Sequence, residues 1–399
     1  MDLITEYLLL GLRFDRLEAG FVDAYTGDPA LRARVENEPS PHPAQLRART
    51  RELLAELDSS GLDPVRVDFL RAQLTALECS ARVMSGEPVG FVEEVAAYFD
   101  VHIRLGNETR YEAAHSELDA LLPGKGGLAQ RYAGYRQADE CPPDRLEEVV
   151  LAMSSRLRDH VRATYVLPPE ETVSYDVVTD KPWSGFNYYR GEFHSDVAIN
   201  ADLPQRLTQL PHLVAHESYP GHHTEHCRKE AGLVVRDQHR EHTIFLVNTP
   251  ECLMAEGLAD LGVKVTVGEG WGAWTEEILG DLGLAADGEL AQRVAKAVAP
   301  LNDVRQDAAI MLHDRNSDQD TVTDYLQRWS LASHERAQQS LRFLTDPLWR
   351  AYTSTYVEGH RLLSSWLDAR PDDEPVESRF RRLLDEPLTP GRIVAELPT

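Results

Sequence analysis

Cysteine is scarce in this chain. The four present, Cys79, Cys141, Cys227 and Cys252, show no C-x-x-C spacing among 399 residues. That count argues against a disulfide framework, and it fits a reducing compartment. Cys227 lies beside a histidine cluster and could be a metal ligand, but a buried free thiol is the ordinary reading of such a residue. Cations are also outnumbered, with 41 Lys and Arg against 66 Asp and Glu and a formal charge of −25. Nucleic acid needs clustered cations, so it is not an expected partner, and a field of this sign repels acidic substrates. Long apolar runs are missing too; none reaches the ~20 residues that span a bilayer. Leu8, Leu9 and Leu10 follow Asp2 and Glu6 rather than a basic stretch. No signal peptide and no membrane partner are therefore expected, and the expected location is cytoplasmic.

What is present suffices for a large core. The chain is 42% hydrophobic, and at this length about three quarters of the unfolded surface can be buried. Residues 3–25 carry Ile4, Leu8, Leu12, Phe14, Leu17 and Phe21 at helical spacing, up to a turn at Thr26, Gly27, Asp28 and Pro29. Residues 43–61, 63–85, 89–104, 108–122 and 143–164 repeat the pattern between Pro and Gly punctuation. The turn 123–127 resembles a phosphate loop only in composition, since no Ser or Thr follows Lys125 and no strand precedes it. From Pro168 the texture changes. Residues 172–179 and 188–200 are rich in aromatic and β-branched side chains, which predicts two or three short strands. Asp202 is placed to cap the next helix, with Pro204 in its first turn and Leu207, Leu210, Leu213 and Val214 forming a buried face. Helices are expected again over 273–299, 301–314, 319–344, 347–369 and 377–385. The expectation is a mainly α, multi-helix single domain in two lobes, residues 1–165 and 166–370, with a tail over 371–399. A small antiparallel sheet would sit beside a histidine-bearing helix and line a groove, where an edge strand can hold an extended peptide.

The chemistry concentrates in His216, Glu217, Ser218, Tyr219, Pro220, Gly221, His222 and His223. Neutral imidazole is the commonest protein ligand for zinc, and a carboxylate beside a ligand can take a proton from metal-bound water. In an ordinary His-Glu-x-x-His helix the imidazoles lie one turn apart. Here the fifth position is Pro220, and a regular helix would turn His222 roughly 120° away or carry His223 about 10 Å along the axis. Pro220 and Gly221 predict a distortion, a two-residue bulge that brings His222 to the second-ligand position, with His223 as the alternative. A lone His-Glu pair on a helix is usually surface. Five of the fifteen histidines within 212–226 weigh against that here.

Catalytic zinc usually takes three protein ligands. After Thr249 and Pro250 comes a mostly apolar helix in which Glu256 and Asp260 share a face. Glu256 is the candidate third ligand, and Asp260 would orient a ligand histidine from behind. Such a pair is ordinarily solvated, but an acid among Leu253, Met254, Leu258 and Leu261 needs a partner. Glu269 ranks below Glu256. Further on, Tyr356 or His360 can donate a hydrogen bond to a developing oxyanion, although Tyr356 by spacing alone reads as core. Arg361, Arg190 and Lys181 are the basic residues nearest these motifs, and Arg361 would bind a substrate carboxylate.

The run His216 to His223 with its Pro-Gly, the segment 191–200 containing Phe193 and His194, Glu256-Gly257-x-Ala259, and Arg342-Phe343 through Pro347 to Tyr356-x-x-Gly359 resemble the bacterial family called domain of unknown function 885. That family is similar in fold to carboxypeptidases of the Taq type, helical zinc metallopeptidases with a deep groove. The matched motifs cover roughly residues 165–370. The resemblance implies a gluzincin-like site, with His216, one histidine of the Pro-Gly-His-His run and Glu256 on one Zn2+ or another divalent ion. It makes Glu217 the general base, places Tyr356 near the substrate, and puts Phe193 and His194 on the substrate side. The chain departs from the family at Leu258, where an aromatic residue commonly follows Glu-Gly, and at Phe343, where tyrosine is usual after the arginine. The implied reaction is hydrolysis of a peptide or small amide, of carboxypeptidase or oligopeptidase type; a homodimer is left open. Two other readings stand beside it: a catalytically silent metal- and peptide-binding protein, and a non-peptidase amide or ester hydrolase.

Overall fold

The computed structural model describes residues 2–181 and 183–398. Helices form where apolar positions recur at helical spacing and where a short polar side chain takes up the first free N–H groups. Asp2 accepts from the Thr5 N–H at 3.0 Å ahead of helix Leu3–Asp15, and Asp63 accepts from Val65 at 2.8 Å ahead of Pro64–Met84, whose first residue is a proline. The result is a mainly helical architecture carrying two small sheets.

In the first sheet, β1 (Val22–Tyr25) pairs antiparallel with β5 (Ile244–Leu246), and its register slips between Val22 and Ala24. The second has the order β2-β4-β3, from β2 (Thr172–Val178), β3 (Gly185–Gly191) and β4 (His194–Asn200). Strands β3 and β4 form the expected antiparallel hairpin, while β2 joins the far side of β4 in parallel. Central β4 is buried over Val197, Ala198, Ile199 and Asn200, which leaves β3 as the edge strand facing the histidine region. One large core runs through the helices from Phe91 to Ile393. A smaller one gathers Tyr7, Leu9, Phe14, Phe69 and Leu74 with Ile244, Leu246 and Leu348. Among the described residues no helix is long and apolar enough to cross a membrane.

Several elements differ from the periodicity reading. The first helix stops at Asp15 because the Asp15 carboxylate accepts the N–H groups of Gly20 and Val22, folding the chain into a loop that ends in β1. Residues 273–299 form two helices, Trp271–Asp281 and Gly288–Val298, the second capped by Asp287. Residues 319–344 likewise split at Leu331, with Ser333 capping the second piece. Asp202 does not cap a helix. Its carboxylate accepts from Asp180 N–H at 2.6 Å, and the next helix begins only at Leu210. Helices Pro29–Glu36, Leu128–Ala138 and Pro390–Glu396 were not foreseen, for they have little apolar periodicity or are very short.

Candidate metal centre

Helix Leu210–Glu217 delivers His216 and Glu217, and then it breaks. The break is a turn over 218–221, not the bulge within one helix that the sequence predicted. A second helix, His222–Lys229, starts immediately after it. Gly221 makes the turn possible. Its N–H bonds to the Ala215 carbonyl at 2.8 Å, and a Cβ there would lie 1.9 Å from the His216 carbonyl oxygen, against backbone that cannot yield. The Ser218 and Thr224 N–H groups, bonded to Val214 and Ser218 carbonyls, fix both flanks.

This turn brings the Nε2 atoms of His216 and His222 to 3.1 Å, with the rings at 89°. Glu256, from helix Pro250–Asp260, closes the group: one carboxylate oxygen lies 3.3 Å from His216 Nε2 and the other 3.5 Å from His222 Nε2. One ligand atom from each of the three residues lies within 4.8 Å of the others. Behind them, Asp260 holds His216 Nδ1 at 3.0 Å, so Nε2 is left to face the group. The Tyr352 hydroxyl donates to Glu256 at 2.6 Å. Burial alone would depress both imidazoles, but the Asp260 and Glu256 carboxylates push His216 well above the ordinary histidine value, and Glu256 raises His222. Burial works against ionisation of Glu256 as well, and the two histidines overcome it, holding its carboxyl far below the usual range.

Glu217 is buried beside this group. Burial raises its carboxyl above the usual value, an effect that the charges of His216 and His222 oppose. Its backbone carbonyl accepts from Asn187 Nδ2 on β3 at 2.6 Å, and Gly185 of the same strand lies so close that a Cβ would sit 3.1 Å from the Glu217 carboxylate. The edge strand therefore runs past the carboxylate.

His223 points the other way. Its ring nitrogens engage Ser195 Oγ at 2.8 Å and Glu171 at 3.0 Å, and the side chain has no exposed surface. Glu171 also accepts from Tyr219 at 2.7 Å and from Arg158 and Arg162 at 2.8 and 2.6 Å. Burial would raise its carboxyl, yet these hydrogen bonds hold it down to about 2. Buried Cys227 packs against His223, its Sγ 3.5 Å from one ring nitrogen.

Tyr356 lies on the segment Thr355–Gly359, 40% exposed, its ring centroid 6.4 Å from that of His216. Burial and then the Glu256, Asp260 and Glu217 charges hold its phenol well above the ordinary value. The segment reaches the site through a glycine contact: a Cβ on Gly257 would lie 2.5 Å from Gly359 backbone. His360 is exposed, in the electrostatic range of Asp260 and Lys264. Arg361 is committed to Glu358 and, at 3.0 Å, to Asp303. Arg190 pairs with Asp196 at 2.8 Å. Phe193 packs against the large core at the β3–β4 turn, and His194 bonds Thr172 and Asp196; neither joins the His216 group. Two residues that periodicity missed stand close by. Tyr352 lies one helical turn before Tyr356, a spacing from which it could have been found. Asp23 sits at the register slip of β1. Burial pushes its carboxyl up to about 7, with the charge of His222 opposing and those of Glu256 and Glu217 adding.

The donor set fits a divalent cation. Two imidazoles and one carboxylate are a common ligand set for catalytic zinc, two ring nitrogens face each other at contact distance, and a buried oxygen of Glu256 has no hydrogen-bond partner. A second grouping, His239, Glu241 and His242, fits less well, since both Glu241 oxygens are held by Arg66 at 2.6 and 2.7 Å.

No family model and no curated protein sequence matches the chain. Solved structures do. A Colwellia psychrerythraea protein described as a candidate lipoprotein aligns over 92% of this chain and 68% of its own, at 14% identity and a TM-score of 0.51. A Shewanella oneidensis candidate lipoprotein of unknown function aligns over 92% and 75%, at 12% identity and a TM-score of 0.54. What the chain shares with these is its fold. An M32 carboxypeptidase from Deinococcus radiodurans aligns over 98% and 93% at 14% identity, but its TM-score of 0.40 is too low to bear on the site.

Proposed function

We propose that the chain is a zinc-dependent hydrolase of peptide or related amide bonds, akin to the domain of unknown function 885 family and gluzincin-like in its site. The observation that carries this reading is the convergence of His216, His222 and Glu256 ligand atoms beside a buried Glu217. A bound divalent ion would supply Lewis acidity and a water whose pKa falls to about 7.

The rest is work for the chain's own residues. Asp260 fixes the His216 tautomer, and Tyr352 fixes one oxygen of Glu256, so the ligand atoms are held before any ion arrives. Glu217, its carboxyl raised by burial, accepts the proton of the attacking water and delivers it to the leaving amine. Tyr356, whose phenol stays protonated, donates a hydrogen bond to the oxygen that gains charge, and His360 is the second candidate for that role. The free edge of β3 holds the substrate backbone.

Glu217→Gln tests the assignment. Turnover of a fluorescent peptide library should fall to background while metal content measured by mass spectrometry stays at one ion per chain. Equal activity in both proteins would remove Glu217 from this role, and a protein that takes up no divalent metal would end the metal reading.

A further inference from the structure

Among the described residues, Phe, Tyr and Trp rings are buried or half-buried almost without exception. Only two are exposed, Phe343 at 37% and Tyr356 at 40%. They are the two ends of one row. From Tyr356, whose ring is 6.4 Å from that of His216, contact passes to Tyr352 at 5.6 Å, to Trp349 at 5.2 Å and to Phe343 at 6.2 Å. Tyr352 and Trp349 rest against the smaller core and stay partly exposed, so each covers framework on one side and leaves apolar surface on the other.

The backbone under this row is pinned. The Asp346 carboxylate accepts the N–H groups of Leu348 and Trp349 at 2.9 and 3.2 Å, Asn248 Nδ2 donates to the Leu348 carbonyl at 2.9 Å, and Arg350 donates to buried Glu94 at 3.1 Å. At the other end Gly359 lies against Gly257, next to Glu256. The Tyr352 hydroxyl is spent on Glu256. Beyond Tyr356 the row therefore offers mainly ring faces and edges, set in place before any guest arrives, and these favour another aromatic ring over an aliphatic chain.

Two exposed rings fall far short of the ~800 Å² per partner of a stable dimer, so a single strand lying along the row fits better than a second copy of the chain. The dimensions agree with that. Three ring contacts of 5.2 to 6.2 Å separate Tyr356 from Phe343, while side chains on one face of an extended peptide recur about every 6.6 Å. At about 3.3 Å per residue, a peptide with its reacting bond at the His216 group reaches Phe343 within about five residues.

We propose that Phe343, Trp349 and Tyr352 form, with Tyr356, a subsite for aromatic side chains of an extended peptide, on one side of the bond held at the metal centre. This rests on the hydrolase reading for its chemistry but not for its binding. The test therefore begins with affinity, using the zinc-loaded Glu217→Gln protein and two labelled peptides of equal length and charge, one with Phe at alternate positions and one with Ser there. Fluorescence anisotropy should give a dissociation constant at least tenfold lower for the Phe peptide, a gap that persists at higher salt. Phe343→Ser should narrow the gap at least threefold and Phe343→Tyr should retain it; the side chain is exposed, so circular dichroism and metal content should stay unchanged in both. In the wild type, mass spectrometry of products from an unbiased peptide library should place aromatic residues within about five positions of the cut, on one side of it only.

Equal affinity for the two peptides overturns the subsite, as does a gap that Phe343→Ser leaves unchanged. A dimer seen by sedimentation and dissociated by Phe343→Ser assigns the row to a second copy and also overturns it. Preferential binding of the Phe peptide without cleavage by the wild type supports the subsite while removing the hydrolase reading, whereas cleavage of both peptides with equal kcat/KM and equal affinity does the reverse.

Discussion

Replacing Glu171 by glutamine removes a charge on which four donors converge. The carboxylate is fully buried and accepts from His223, Tyr219, Arg158 and Arg162, and its pKa is held down to about 2 from an ordinary 4.5. A depressed carboxyl stabilises the folded state fully above its unfolded value, and that contribution is lost as pH falls through the folded one. At about 1.4 kcal/mol per pH unit the interval corresponds to about 3 kcal/mol near neutral pH. Near pH 3.5 the same relation leaves about 2 kcal/mol, since the unfolded carboxyl is by then mostly protonated. Glutamine keeps an acceptor but no charge, so urea unfolding of Glu171→Gln near neutral pH should show a loss of about 3 kcal/mol that shrinks to about 2 kcal/mol at pH ~3.5. A loss below about 1 kcal/mol near pH 7, or one that does not shrink on acidification, would refute the picture of Glu171 as the charged anchor of the turn.

Two further substitutions separate ligands from supports. His222→Ala should lose the ion on dialysis, while His223→Ala should keep it and lose about 2 to 4 kcal/mol of stability, because the partners of His223 are buried groups of the framework; metal retained in the first and lost in the second would exchange their roles. Gly257→Ala puts a methyl 2.5 Å from Gly359 backbone. It should cost about 1 to 3 kcal/mol in urea unfolding and weaken metal binding through the displaced Glu256, and an alanine variant as stable as the parent would argue against the close contact.

The local half of the grouping was legible in the sequence. His216 and Glu217 end a helix with an apolar face, Pro220 and Gly221 announce that the helix cannot continue regularly, and Glu256 with Asp260 are acids set in an otherwise apolar turn. Legibility stops where a contact joins distant segments. Glu171 precedes His223 by 52 residues, and nothing near Glu171 announces that it will be buried among arginines. Asp23 was hidden because β1 was read as the end of a helix, and the turn that overrides the periodicity depends on the Asp15 carboxylate folding back. Most helices could be recognised from their spacing. The break at Leu331 could not, since buried Val322, Leu326 and Trp329 stay in phase with Ala337, Leu341 and Leu344 across it; the break at Gly283 does show, since Trp271 and Ile278 are out of phase with Ala291 and Val294.

The contact between Gly257 and Gly359 leaves no layer of side chains between the segments that carry Glu256 and Tyr356. With main chain against main chain there is nothing to compress or slide, so the spacing between the two backbones that carry the carboxylate and the phenol is held stiffly. Any breathing that admits a guest falls to the opposite bank, where the open edge of β3 flanks Glu217.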